Sequence, residues 1–159
     1  MTEPAPTRRE LHIERVFDAP RDLLFQCLTD PAHLAHFWGP TGTSTPLETI
    51  TVDPRPGGVL ETVMVNATDG TGYRSRAVFD VVDAPETLAW TEIESGMHIT
   101  IRLTALDEHR THVHVHQLDV PEAGMTARAR AGFLTALDRF DDYLAHLRST
   151  KDDHDAPDR

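Results

Sequence analysis

Apolar residues recur at steps of four and three near the end of this chain, at Phe133, Leu137, Phe140, Leu144 and Leu147. That spacing gathers them on one face of a helix. Upstream the period falls to two. His12 to Phe17 alternate, with Ile13 and Phe17 apolar, and Asp18-Ala19-Pro20 stops that first strand. Pro20 suits the first turn of a helix over Arg21–Leu28, with Leu24, Phe25 and Leu28 inward. Asp30-Pro31 breaks it and opens a second short helix, Ala32–Phe37, which Gly39-Pro40 ends. Strands are then predicted at Thr49–Val52, Val59–Val65, Tyr73–Val82, Leu88–Ile93, Met97–Leu106 and Thr111–Leu118. The turns between them carry Pro56-Gly57-Gly58, Asp69-Gly70, Asp83-Ala84-Pro85-Glu86 and Ser95-Gly96. Pro121 opens the final helix, expected to run to about Leu147. Hairpin-linked strands with segregated helices read as α+β. The long helix needs a partner for its apolar face, and only the sheet is large enough. A curved sheet gripping one long helix often encloses a ligand cavity.

A chain of 159 residues is about one domain. We expect a disordered lead-in over 1–9, a single domain over 10–148 and a disordered acidic tail over 149–159. A net charge of −11 argues against nucleic acid or an anionic membrane as partner, because either demands a basic patch. No run approaches transmembrane length and the first ten residues have no apolar signal core, so a cytoplasmic protein without membrane insertion is expected. The single cysteine, Cys27, excludes an internal disulfide and reads as a small buried hydrophobe.

The motif series Arg15-Val16-Phe17-Asp18-Ala19-Pro20, Leu28-Thr29-Asp30-Pro31 and Phe37-Trp38-Gly39-Pro40 resembles the opening of bacterial proteins similar to the activator of heat-shock protein 90 ATPase. These form part of the START-like superfamily, also called SRPBCC or Bet v 1-like. The resemblance continues through Pro56-Gly57-Gly58, Asp69-Gly70, Pro85-Glu86-Thr87-Leu88-Ala89-Trp90 and Ala131-Gly132-Phe133, and covers about residues 11–147. It implies the helix-grip fold: a seven-stranded antiparallel sheet wrapped around the C-terminal helix, with a cavity between them. Where the family commonly has Gly-Trp, this chain has Gly132-Phe133. The family name also implies a chaperone-related interaction role. Fold alone does not fix function.

Wide apolar side chains around a gap between sheet and helix make a ligand pocket, so Trp38, Phe79, Trp90, Phe133, Leu137 and Phe140 are the expected cavity wall. Gly132 costs its helix about 1 kcal/mol relative to alanine, which suggests a close approach there. The expected partner is a small apolar or amphipathic molecule, and a homodimer through a sheet edge or face fits the same fold. Catalysis has only fragments. Glu92 shares a strand face with Leu88 and Trp90; Glu61 sits in the alternation with Val59, Val63 and Val65; Tyr73 lies on the next strand. A buried carboxylate among them would act as general acid or base in a cyclase- or hydrolase-type reaction.

His112, His114 and His116 share one strand face, with His98 on the neighbouring hairpin strand if Ile101 pairs with Val115. Imidazoles at that spacing can chelate one Zn, Ni or Cu ion when a third ligand comes from elsewhere. The alternation with Val113 and Val115 points them to the outer face of the sheet, where an exposed histidine ladder is ordinary polar decoration. No cofactor is therefore expected.

Overall fold

A computed structural model describes residues 9–154. The expected lead-in, apart from Arg9, and the last five residues lie outside the described residues. The elements run β1 (Glu10–Phe17), α1 (Arg21–Thr29), α2 (Pro31–Phe37), β2 (Thr43–Ser44), β3 (Thr51–Val52), β4 (Val59–Asn66), β5 (Gly72–Asp83), β6 (Thr87–Glu92), β7 (His98–Ala105), β8 (Thr111–Leu118) and α3 (Ala127–His154). Short 3-10 turns occupy Leu47–Thr49 and Glu122–Met125. The helix-grip arrangement is thus present, with local differences: the strand expected over Thr49–Val52 is only Thr51–Val52, after a 3-10 turn at Leu47–Thr49. Pro121 opens the 3-10 turn rather than α3, and α3 persists to His154 where a tail was expected. The two-residue strand β2, too short to carry a period, was not predicted.

All pairings are antiparallel, in the order β1-β8-β7-β6-β5-β4-β2, with β3 also on β4. Ile101 faces Val115, so the register supposed for the histidine strand is the one formed: Arg102 faces His114, Thr100 faces His116 and His98 faces Leu118. Phe17, Phe79 and Leu88 are fully buried on the inner face, with Ile99, Ile101, Leu103, Val113 and Val115 in the same core.

The short helices follow from local chemistry. Pro31 fills the first position of α2, where a missing N–H costs nothing, and the Asp30 carboxylate accepts from Ala32 N at 2.9 Å. One dipeptide thereby ends α1 and starts α2. The apolar stripe of α3 meets the sheet unevenly. Phe140 and Leu144 are buried, and Phe140 packs against Phe37 (ring centroids 4.2 Å apart) and Phe17 (5.1 Å). Leu137 and Phe133, one and two turns before Phe140, are only partly buried. The helix is anchored through its middle, and its first half stands over a gap.

Candidate functional site

That gap is a cavity of about 920 Å³ between the inner face of the sheet and the first half of α3. Its apolar wall comes from Trp38, Trp90, Phe133, Leu137 and Phe140. Trp38 and Trp90 lie with ring centroids 6.2 Å apart. Phe79 does not line the cavity; it is buried behind Trp90 in an edge-on contact of 6.2 Å. Strand alternation puts it on the inner face, where it packs into the core rather than lining the space.

Polar groups enter from the sheet. Residues Leu60, Thr62, Met64 and Asn66 of β4 line the cavity, as do Ser75, Glu92 and Gln117. Thr62 is buried, and among the described residues its Oγ1 is one of two buried side-chain polar atoms without a hydrogen-bond partner. A hydroxyl withdrawn from water with no partner costs about 1–3 kcal/mol, so a ligand or water that bonds to it recovers that energy.

The three carboxyl and phenol candidates part company. Glu92 lines the cavity, accepts from Ser95 Oγ at 3.1 Å, and is held above the ordinary carboxylate range chiefly by burial. Glu61 lies on the opposite face from Thr62, pairing with Arg74 at 3.5 Å. The inward set of β4 is Leu60 and Thr62, so the alternating valines around Glu61 are the outer set. Tyr73 is 51 % exposed and is absent from the lining. Only Glu92 can meet a cavity ligand.

The rim is secured by a residue that the hydrophobic pattern did not single out. Arg139 of α3 donates from Nη1 to the carbonyl oxygens of Gly39 (2.7 Å) and Pro40 (3.2 Å). Gly39 itself has φ +100°, and a Cβ there would meet Thr43 Oγ1 at 2.7 Å and Met64 Sδ at 2.9 Å. Glycine is required at this corner by both conformation and space. At Gly132 it is not: a Cβ would meet only Pro40 Cβ at 3.8 Å, an ordinary contact, so the expected close approach is absent. The polar lining residues Thr62, Ser75, Asn66 and Gln117 also went unforeseen, because a lone polar residue on a strand looks the same whether it faces a cavity or solvent.

The histidines of β8 occupy the outer face, and His98 lies apart from them. His98 accepts or donates at 2.7 Å with Thr91 Oγ1 and sits 3.9 Å from Asp119. His112 Nε2 is 3.3 Å from Glu14, and His114 Nε2 is 3.0 Å from His12 Nδ1.

A family model described as Activator of Hsp90 ATPase homolog 1-like protein matches residues 18–145. Among solved structures, a protein from Chromobacterium violaceum is 20% identical with a TM-score of 0.77, over 84% of this chain and 96% of its own. An AHSA1-like protein from Aeromonas hydrophila is 21% identical with a TM-score of 0.76, over 87% and 94% respectively. A protein from Arthrobacter aurescens is 25% identical with a TM-score of 0.73, over 86% of each chain. No curated protein sequence matches the chain.

Proposed function

Because the chain belongs to the Activator of Hsp90 ATPase homolog 1-like family, within the START-like superfamily, we propose that it binds a small amphipathic molecule between the sheet and α3. The carrying observation is a 920 Å³ cavity with an apolar wall and the unpartnered hydroxyl of Thr62 within it. Binding cavities typically measure about 300–1,000 Å³ and combine apolar walls with a few convergent polar groups. The apolar body of the ligand lies against Trp38, Trp90, Phe133 and Leu137. Its polar end reaches Thr62, Ser75 and Glu92, and a ligand group that donates or accepts at Thr62 Oγ1 fits best. Such a molecule is smaller than a peptide and needs no basic protein surface, in keeping with the net charge of −11.

Native mass spectrometry of protein purified from its own host, set against denaturing spectra of the same sample, tests this reading. A retained small molecule in wild type, lost from a Leu137→Trp variant that fills the cavity, is the expected result. A bare wild-type protein that also takes up no apolar fluorescent dye overturns it.

A second reading, acid–base catalysis, is favoured by the raised carboxyl of Glu92 at the cavity wall. It makes Glu92 the proton donor or acceptor to bound ligand. Once a ligand is in hand, Glu92→Gln separates the readings: binding kept with turnover lost supports catalysis, and binding kept with no turnover in either protein leaves a binding module.

A further inference from the structure

On the opposite face of the sheet from the cavity, β1 lies beside β8, and the register sets His12 directly across from His116 and Glu14 across from His114. Side chains directly opposite on antiparallel strands have Cβ atoms about 5 Å apart. Glu10 shares the face of His12, two residues along. The result is a compact group in which one donor atom each from Glu10, His12 and His116 lies within 4.8 Å of the others. His12 Nε2 and Glu10 Oε1 are 2.9 Å apart, and His116 Nε2 and Glu10 Oε1 are 3.8 Å apart.

We propose that Glu10, His12 and His116 form a binding site for a borderline divalent cation, with zinc as the cation the donor set fits best. Two imidazole nitrogens and one carboxylate oxygen are an established kind of zinc ligand set, leaving a fourth position for water. Zinc at about 2.1 Å from each donor places tetrahedral ligands about 3.4 Å apart, so the 2.9 Å and 3.8 Å edges bracket the required spacing. The longest edge closes by side-chain rotation, since His12 and Glu10 stand at the exposed rim of β1.

Two independent observations point the same way. His116 Nε2 is the second of the two buried, unpartnered polar atoms among the described residues, and it faces the Glu10 carboxylate without reaching hydrogen-bond distance. A cation between them satisfies both. His114 Nε2 is also 3.0 Å from His12 Nδ1, the outer-shell contact that orients a ligating imidazole by holding its other nitrogen. Glu10 and Glu14 both stand on this face of β1, with Arg102 across from His114 on β7.

This ligand set differs from the one read along the sequence. His98 and His112 are not in it, and His114 acts through His12. The missing ligands come from β1, about one hundred residues upstream, so no spacing rule could have paired them.

The test uses the full chain with any affinity tag removed, titrated with zinc chloride by calorimetry and by thermal melting. Wild type is expected to bind one equivalent at micromolar affinity or tighter and to melt at a higher temperature with zinc, because the ion ties β1 to β8. The double variant His12→Ala, His116→Ala, which removes two of the three ligands, is expected to lose measurable stoichiometric zinc binding and the zinc-dependent shift. His98→Ala, on the same face but outside the group, should match wild type. Both variants sit on the outer face, and their zinc-free melting temperatures report whether they fold. Three results overturn the site: sub-stoichiometric or millimolar binding by wild type, unchanged binding by a folded double variant, or loss of binding in His98→Ala.

Discussion

Cys27 is fully buried in α1, and burial, with a smaller contribution from the nearby Asp30 charge, pushes its thiol up to about 12. Thiolate is the reactive form, so native protein is expected to resist iodoacetamide at neutral pH and to be labelled at once in denaturant. Mass spectrometry of the labelled chain reads the outcome, and prompt native labelling would contradict the burial. Glu92 offers a second test at this scale. Its carboxyl is raised, foremost by burial, so the folded chain holds that proton more firmly than the unfolded chain does. The stability linked to it is complete below the unfolded value, about pH 4, and is lost as pH climbs through the folded value. Glu92→Gln keeps the shape and removes the charge. It should be more stable than wild type near neutral pH, with the difference vanishing below about pH 4; urea denaturation across that range measures it.

Among the elements, α3 carries both the anchor and the open span. Phe140 and Leu144 hold it to the core, while the turns through Gly132 and Phe133 face the cavity. Gly132 has no steric reason to be glycine, since the nearest atom to an added Cβ is 3.8 Å away. Gly132→Ala is therefore expected to stabilise the protein by about 1 kcal/mol through helix propensity, seen as a higher melting temperature. The same methyl enters the cavity lining, so it should weaken uptake of a ligand that fills the space. The glycine then has a use in volume rather than in backbone conformation. Elements such as this helix were legible in the sequence because their period is local. The run at Thr111–Leu118 matches its strand end for end, since the alternation of His112, Val113, His114 and Val115 admits one reading. Which face of β4 turns inward was less plain, because Val59, Val63 and Val65 compete with Leu60 and Met64, and only packing against the partner sheet residues decides between them.

At the scale of the whole molecule, the order of elements and the α+β class followed from pattern, and the cavity wall followed in large part from the aromatic residues. What stayed hidden depends on contacts between distant segments: the Arg139 grip on the Gly39 and Pro40 carbonyls, and the pairing of β1 with β8. The family match begins at residue 18, after β1, yet that strand is integral to the fold. It pairs with all eight residues of β8 and delivers Phe17, fully buried, to the ring of Phe140. A chain starting at Asp18 should therefore lose cooperative unfolding, because removing a buried Phe alone costs about 3–5 kcal/mol and the typical total is about 5–15 kcal/mol. Circular dichroism during a thermal melt checks this; a sharp transition near that of the full chain would contradict it.

The same pairing gives the fold a timetable. Translation delivers β1 first and β8 last among the strands, so the opening segment waits through most of synthesis with nothing to zip against. Contacts that span such a separation are slow to form, and until they do, β1 has no strand to pair with. The residues of β1 are among the last to be secured, and a ribosome stalled before Leu118 holds a chain that still lacks α3 and stays open along that seam.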